Sequence, residues 1–402
     1  MSGRVRRRNL LVVVAGWALW GPVMSMAAPY SQLYAGELGA SPFIISVIST
    51  VRSATLSVSR MLGGYLSDRY GRRKILWVGT LIVSFGYLLY AAAPSWEFLV
   101  VAAFVSGLSL FYQPALQSVV ADSTTPEVRG RVYGVLSFIP GLLGSLSPLA
   151  GAYVVGVYGL VSGMRLIYVL SFAAGLMTAF MRWRWIEETL ARPEEYGLVE
   201  AFREALRYVR ERILLFVALE VSLSAALGFG FLSSYYSAYF LGISEAELGI
   251  LFSASSLSRL ATSLPAGVLV DKVGRRPVLL SSAVLLMVGS AVYALVPEKT
   301  SATFTVVLVG AVVGAVGGAL YGNVIQTLRA DLVPLEKRGR VYAAILSLID
   351  LAYIPSTMAA GLLYENLGPR TPFMLEAALL AAVIPLILVA VPQSFIRSFK
   401  WD

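Results

Sequence analysis

Long apolar segments separated by short polar loops dominate the chain. Each segment holds about 20 or more mainly apolar residues, the length that an α-helix needs to cross the hydrocarbon core of a bilayer. The pattern predicts an all-α membrane protein with twelve transmembrane helices, and an even number places both termini on the same side. The predicted segments cover residues 10–35, 42–67, 75–93, 97–121, 131–156, 165–186, 212–240, 246–270, 278–296, 302–329, 340–364 and 372–391.

One long polar stretch, residues 187–211, divides the apolar segments into two sets of six. Its apolar residues recur at helical spacing, which predicts an amphipathic linker helix on the cytoplasmic face; a solvated charged linker is the alternative. These apolar residues are Leu198, Phe202, Leu206 and Val209. We therefore expect an N-terminal six-helix bundle over 1–186, a cytoplasmic linker over 187–211 and a C-terminal six-helix bundle over 212–402.

Charge follows the loops. Most of the 32 lysines and arginines lie in alternate loops and at the two termini. Because cytoplasmic loops of membrane proteins are enriched in Lys and Arg, both termini are predicted to be cytoplasmic, in a multi-pass protein of the cell membrane. The net charge of +9 is spread over short clusters between apolar segments, so no nucleic-acid partner is expected. The start of the chain also resembles a signal peptide, but its apolar stretch is long enough to be a retained helix.

Composition narrows the possible chemistry. The chain is 57% hydrophobic and 14% charged, and it contains neither cysteine nor histidine. This excludes disulfides, thiol nucleophiles, Ser-His-Asp triads and HExxH zinc sites. We therefore expect no enzyme activity, no cofactor and no metal.

The two halves repeat each other. The sequence GGYLSDRYGRRK at 63–74 returns as AGVLVDKVGRRP at 266–277, and RGRVY occurs at both 129–133 and 338–342. Gly-Met-Arg ending at Arg165 has its counterpart in Gly-Pro-Arg ending at Arg370. Two homologous halves of this kind indicate transport by alternating access. Three further repeated residues are Tyr112, Gln117 and Asp122, which return as Tyr321, Gln326 and Asp331.

The doubled motif resembles the signature of the major facilitator superfamily, G-x-x-x-D-R-x-G-R-R/K, and the resemblance covers essentially the whole chain. The segment ADSTTPEVRGRVYG, with Gly134, Pro148 and Gly151, is similar to the drug and proton antiporter branch. The resemblance implies a cytoplasmic gate, for which a topological anchor of arginines is the alternative. The gate residues are Gly64, Asp68, Arg69, Gly71 and Arg72, then Gly267, Asp271, Gly274 and Arg275, with Arg129 and Arg338 as expected partners.

The chemistry of the motif supports this interpretation. A glycine near the end of the second helix lets a neighbouring helix approach. An aspartate there can accept charge-assisted hydrogen bonds from an arginine or a helix N-terminus. Such a cluster can form in one conformation and break in another.

Ionisable side chains inside apolar segments are costly, so those retained usually face a cavity or a partner. Glu220 and Asp350 are the predicted proton carriers; a static buried pair, such as Arg259 with Asp350, is the alternative. Glu376 and Arg60 lie nearer the ends of their segments, where snorkelling to the interface explains them.

In the resembled family, helices 1, 4, 7 and 10 line a central cavity. The predicted cavity residues are Trp17, Trp20, Met24, Arg52, Tyr112, Gln113, Gln117, Tyr321, Asn323 and Gln326. Aromatic faces there can bind apolar or cationic groups, and amides and phenols can orient a ligand. Gly310, Gly314, Gly318 and Gly322 form a stripe that predicts close helix packing.

The leading hypothesis is a secondary active transporter that exports small amphipathic or drug-like molecules in exchange for protons. No ATP-binding motif is present, so an ion gradient should supply the energy, and sodium stays open as the coupling ion. A proton symporter or uniporter for a sugar or organic acid is the main alternative, with Arg52 as a carboxylate site. A non-transporting receptor is a third possibility. A monomer is the expectation from the family.

Overall fold

The computed structural model of the protein describes residues 3–124, 129–190, 198–334 and 338–391. This part of the chain is helical almost throughout and contains no β-strand. The chain divides into two compact units, residues 1–196 with 248–253 and residues 197–247 with 254–402.

The first unit is built from antiparallel helices joined by short turns. Positive-φ glycines make two of these turns: Gly71 at φ 92° and Gly159 at φ 77°. A residue with a Cβ atom rarely adopts that conformation, so glycine lets one helix end and the next begin at once. The helices are α1 (Gly3–Ala27), α2 (Ser31–Glu37), α3 (Pro42–Tyr70), α4 (Arg72–Ala92), α5 (Trp96–Leu108), α6 (Gln113–Asp122), α7 (Arg129–Tyr158) and α8 (Leu160–Trp185).

The second unit repeats this order after the linker helix α9. Gly274, at φ 102°, makes the turn equivalent to Gly71. The helices are α9 (Leu198–Arg212), α10 (Leu214–Gly228), α11 (Ser233–Tyr235), α12 (Glu245–Val273), α13 (Arg275–Leu295), α14 (Thr303–Leu332), α15 (Arg338–Leu367) and α16 (Thr371–Ala390).

The predicted transmembrane segments are confirmed as helices. Within the described residues, eleven helical stretches are long and apolar enough to cross a membrane. The twelfth predicted segment is α12, which has 29 residues. The fold class expected from the sequence is therefore found.

Three of the predicted helices are interrupted, which the hydrophobic pattern does not show. The segment predicted over 10–35 is divided by a turn at 28–30 into α1 and α2. A 3₁₀ turn, Ser109–Tyr112, separates α5 from α6, and Pro114 at the start of α6 cannot donate a backbone hydrogen bond to continue α5. A second 3₁₀ turn, Phe229–Leu232, follows α10, and a π-helical turn, Tyr236–Phe240, follows α11.

The amphipathic linker helix is present as α9 and packs on the second unit. Ala205 and Val209 are buried in the core of that unit. The Tyr208 hydroxyl donates to the carbonyl of Leu332 at 2.8 Å, and Arg340 pairs with Glu204 at 3.3 Å. The apolar face of α9 is thus covered largely by protein, although Leu206 is exposed and the side chain of Leu198 lies outside the described part.

The repeat in the sequence is also a repeat of hydrogen bonds. In the first unit, the Tyr34 hydroxyl donates at 2.9 Å to the carbonyl of Tyr90, near the end of α4. In the second unit, the Tyr236 hydroxyl donates at 2.9 Å to the carbonyl of Tyr293, near the end of α13. The arginine of each Gly-x-Arg sequence donates at 3.0 Å to the carbonyl that follows the same helix. Arg165 donates to Ala93 after α4, and Arg370 donates to Val296 after α13. The two units therefore share a packing framework.

The glycine stripe on α14 acts partly as predicted. A Cβ atom on Gly310 would lie 2.5 Å from Val292, and one on Gly289 would lie 3.0 Å from the Cα atom of Gly314, so α13 and α14 pack closely here. Gly318 instead adjoins the guanidinium of Arg259, with 3.0 Å between its ideal Cβ position and Nη1. A Cβ atom on Gly322 would meet no described atom within 4 Å.

Candidate gate and transport site

The first copy of the repeated motif forms an ion pair at the end of the unit where α3 and α4 meet. Arg72, the first residue of α4, pairs with Asp122, the last residue of α6. The side chains are 17% and 34% exposed, so water partly screens the pair.

A carboxylate caps the same helix. Both oxygens of Glu188 accept backbone hydrogen bonds from the start of α4: Oε1 from Arg72 and Oε2 from Arg73, each at 3.1 Å. A Cβ atom on Gly71 would lie 2.7 Å from Oε2, so glycine is needed for this approach as well as for the turn. The negative charge also suits the positive end of the helix dipole.

The segment that carries Glu188 is tied to α1. Asn9 is fully buried; its amide donates to the carbonyl of Glu187 at 3.1 Å, and the Glu187 amide donates back to the Asn9 side chain at 2.9 Å. Glu187 also pairs with Arg8. The chain that leaves α8 therefore connects the basic ends of α1 and α4.

The second copy of the motif forms the equivalent pair. Arg275 Nη2 lies 3.2 Å from Asp331 Oδ2, and Arg275 Nε donates to the same oxygen at 3.3 Å. The partners of the two motif arginines are thus Asp122 and Asp331, which the sequence shows as repeated residues but which were not assigned to the gate. The signal was present in the repeat itself.

The other charged residues predicted for the gate fall into two sets. The side chains of Asp68, Arg129 and Arg338 lie outside the described part, so their expected pairing stays a prediction. Arg69 and Asp271 are exposed.

The close helix approach expected at Gly64 is found one residue earlier. A Cβ atom on Gly63 would lie 2.0 Å from the carbonyl oxygen of Phe111, whereas one on Gly64 or Gly267 would meet no described atom within 4 Å. The 3₁₀ turn between α5 and α6 brings this carbonyl against α3, which hydropathy alone cannot show.

Glu220 is fully buried on α10 and is paired. Arg329 of α14 donates from Nε to both carboxylate oxygens, at 2.9 and 3.1 Å, and from Nη2 to Oε2 at 2.5 Å. This bidentate geometry stabilises the ionised carboxylate. Tyr321, a predicted cavity residue, lies close enough to interact electrostatically with both charges.

The static pair considered between Arg259 and Asp350 is not found. Arg259 forms no ion pair with the described residues and lies against Gly318. Asp350 is half-buried on α15. The buried pair of this unit is Glu220 with Arg329 instead.

The predicted cavity residues of the first unit separate into two groups. Trp20 is buried edge-on against Tyr87, with ring centroids 5.9 Å apart, and the Tyr87 hydroxyl donates to Met24 Sδ at 3.3 Å. Tyr112, by contrast, is packed inside the unit beneath the guanidinium of Arg182, 5.2 Å from its ring centre. Trp20 and Tyr112 are both buried in this conformation, so their cavity roles stay predictions.

The remaining predicted cavity residues differ in exposure. Gln117, Gln326 and Arg52 are exposed, and Trp17, Gln113 and Asn323 are half-buried. Asn323 donates to the carbonyl of Ala319 on its own helix, which leaves its side-chain oxygen available as an acceptor.

Three tyrosines near Arg52 were missed by the sequence analysis. Tyr90 and Tyr168 stack with ring centroids 5.2 Å apart, and Tyr87 and Tyr168 stack at 6.3 Å. All three interact electrostatically with Arg52, an exposed residue that forms no ion pair with the described residues. Tyr87 and Tyr90 are three residues apart and so share one face of α4, a spacing that could have identified them.

Comparison with known proteins defines the class. The family model of the Major Facilitator Superfamily matches residues 10–240 and 214–398. The chain therefore belongs to the major facilitator superfamily and is a transport protein of the membrane that acts on a small molecule.

Individual relatives are more distant. Multidrug resistance protein MdtG of Escherichia coli is 22% identical over 387 residues, covering 92% of this chain and 91% of MdtG. Multidrug resistance protein 2 of Bacillus subtilis is 25% identical over 313 residues, covering 75% and 74%. The crystal structure of a D-xylose-proton symporter matches with a TM-score of 0.73 and 17% identity, covering 97% of this chain and 99% of that one. The likeness to that structure concerns the fold.

Proposed function

We propose that the protein exports small amphipathic or drug-like molecules from the cell in exchange for protons. The observation that carries this proposal is the similarity along most of the chain to two proteins named for multidrug resistance. We place the protein in the cell membrane with both termini in the cytoplasm, because the basic residues favour that orientation.

The aromatic cluster of the first unit suits such substrates. Trp20, Tyr87, Tyr90 and Tyr168 bring flat apolar faces and phenol groups together from α1, α4 and α8. The first two and Tyr168 are buried in this conformation, so we propose that a substrate reaches them when the unit opens. Aromatic surfaces bind apolar groups by burial and organic cations through their ring quadrupoles.

The repeated ion pairs suit a gate. Arg72 with Asp122 and Arg275 with Asp331 are partly exposed, so water can replace either partner when the pair separates. We propose that these pairs hold one conformation of the transport cycle and break in another.

Of the two predicted proton carriers, Glu220 lies in surroundings that disfavour its protonation. Protonation would neutralise a carboxylate that Arg329 holds on both oxygens, and would leave the arginine buried without a counter-charge. Asp350 keeps its predicted role as a carrier.

The experiment that tests the proposal uses purified protein in liposomes that contain a trapped pH dye. Ethidium, D-xylose and lactate are added separately without a starting gradient, and protein-free liposomes are the control. Ethidium uptake accompanied by proton movement in the opposite direction would support exchange. Movement of protons with the substrate, or transport without any proton signal, would overturn it.

Nutrient symport is a second candidate, favoured by one observation. Arg52 is an exposed residue that forms no ion pair with the described residues, and three tyrosines interact with it electrostatically, an arrangement that can bind a carboxylate. Lactate uptake together with protons in the same assay, lost in Arg52→Gln, would select this alternative.

A further inference from the structure

A buried carboxyl group on α16 stands apart from the ion pairs described above. Glu376 is only 8% exposed, so the expectation that it reaches the membrane interface is wrong. Among the described residues, no arginine or lysine forms an ion pair with it. An ionised carboxylate in such a place has a large desolvation cost without a compensating charge.

The groups around Glu376 are neutral. Tyr293 of α13 and Tyr353 of α15 are near enough to interact with it electrostatically. Neither α10 nor the following 3₁₀ turn carries a charged residue other than Glu220, ten positions before Gly230. Arg370, at the start of α16, donates to the carbonyl of Val296 and lies 3.4 Å from Glu298.

Ser290 is positioned to hydrogen-bond a protonated as well as an ionised Glu376. Its hydroxyl oxygen lies 2.7 Å from Glu376 Oε2 and 3.1 Å from the carbonyl oxygen of Phe373. The hydroxyl has one hydrogen, which it donates to Glu376 Oε2 or shares with the Phe373 carbonyl. A proton on Oε2 would allow two full hydrogen bonds at once, with Glu376 donating to Ser290 and Ser290 donating to Phe373.

The carboxyl group also touches a break in a helix. A Cβ atom on Gly230, in the 3₁₀ turn Phe229–Leu232, would lie 2.4 Å from Oε2 and 2.7 Å from Oε1. The carboxyl oxygens therefore rest against the backbone at the point where the helix that began as α10 loses its α-helical geometry. A charge on Glu376 would therefore lie against this break.

The first unit has no equivalent acid. By the spacing of the two Gly-x-Arg sequences and of the two gate motifs, Glu376 corresponds to Ser171 and Ser290 to Tyr87. Ser171 donates to a carbonyl of its own helix, and Tyr87 donates to Met24. The acid is an addition to the shared framework.

We propose that Glu376 is a proton-binding site of this transporter, with Ser290 as its hydrogen-bonding partner and the break after α10 as the element that responds to its charge. A proton taken up from water converts the carboxylate to a neutral acid, and the same proton returns to water when the site opens. The role of the site in transport rests on the proposed proton exchange, whereas proton binding itself does not.

Infrared spectroscopy of the protein in lipid tests proton binding without a substrate. We expect a carbonyl-stretch band of a protonated carboxylic acid near neutral pH, which is lost in Glu376→Gln and kept in the matched control Glu365→Gln at an exposed position. Ser290→Ala should keep the band but shift its frequency, because it removes the hydrogen bond. A band that persists in Glu376→Gln, or that does not respond to Ser290→Ala, would overturn the proposal.

Transport by the same variants tests the role of the proton. With ethidium as the probe, Glu376→Gln should retain exchange of labelled for unlabelled ethidium but lose accumulation driven by a pH gradient. Glu376→Asp should restore accumulation. Unchanged gradient-driven accumulation in Glu376→Gln would refute the role. If the unmodified protein shows no proton coupling, the proposed function fails, and the infrared result still decides whether Glu376 binds a proton.

Discussion

The buried pair of Glu220 and Arg329 gives the sharpest prediction for stability. Arg329→Met removes the cation and leaves Glu220, which has no exposed surface, without its three contacts of 2.5 to 3.1 Å. Removing one partner of a buried pair costs about 3 to 5 kcal/mol, since the remaining charge is uncompensated. In this conformation Glu220 itself has no contact with water.

The double variant separates the charge effect from the loss of packing. Glu220→Gln combined with Arg329→Met leaves no charge buried at this position, so it should be more stable than Arg329→Met alone. Replacing both members of a buried pair is often close to neutral. The coupling energy of the double-mutant cycle should therefore exceed about 1 kcal/mol.

The assay is reversible unfolding in mixed detergent micelles, followed by tryptophan fluorescence. Arg275→Met is the matched control, because its pair with Asp331 is 24% and 45% exposed and should be worth no more than about 1 kcal/mol. If Arg329→Met costs no more than this control, or if the double variant is less stable than both single variants, the argument from burial is refuted.

Three further predictions concern the gate and the substrate. Arg72→Gln and Asp122→Asn should each slow ethidium exchange in liposomes by a similar factor. The double variant should be no slower than either single variant, because the two side chains form one pair. A double variant slowed by the product of the two single factors would contradict this. Glu188→Gln should lower the free energy of unfolding by about 0.5 to 1 kcal/mol, since it removes a charge from the start of α4; an unchanged denaturation midpoint would argue against the cap. Arg52→Gln should reduce lactate transport and leave ethidium transport unaltered, and equal loss of both would show that Arg52 has a structural role.

The helices could be predicted from the sequence because their lengths follow from the bilayer. Each predicted segment is helical, although three of them are divided into shorter helical pieces, and the linker helix covers Leu198–Arg212. Hydropathy does not show the interruptions at Ser109–Tyr112 and Phe229–Leu232, since both stretches are as apolar as their neighbours. Pro114 is a sequence signal for the first of them, and the second has no such signal. A break of this kind depends on packing against other helices, which hydropathy does not record.

The site was predicted less completely because side-chain partners depend on helix rotation. Asp122 was visible as a repeated residue, but its pairing with Arg72 joins the ends of two helices fifty residues apart in sequence. Glu376 was placed by its distance from the end of its segment, which ignores the direction of its side chain. The structure turns it toward Ser290 rather than toward the interface. The depth of a residue along its helix can be estimated from the sequence, whereas the neighbouring helix that its side chain faces cannot.

The comparison of the two units separates framework from function. What is repeated, such as the tyrosine hydrogen bonds, the Gly-x-Arg arginines and the Arg–Asp pairs, serves both halves and so has a role that both halves need, packing or gating. What occurs once, such as Arg52 among its tyrosines, Glu220 with Arg329, and Glu376 with Ser290, cannot be explained by that shared role. A charged side chain inside a membrane helix carries an insertion cost, so one that is retained usually has a functional role. The unrepeated charges are therefore where substrate recognition and coupling should be sought first.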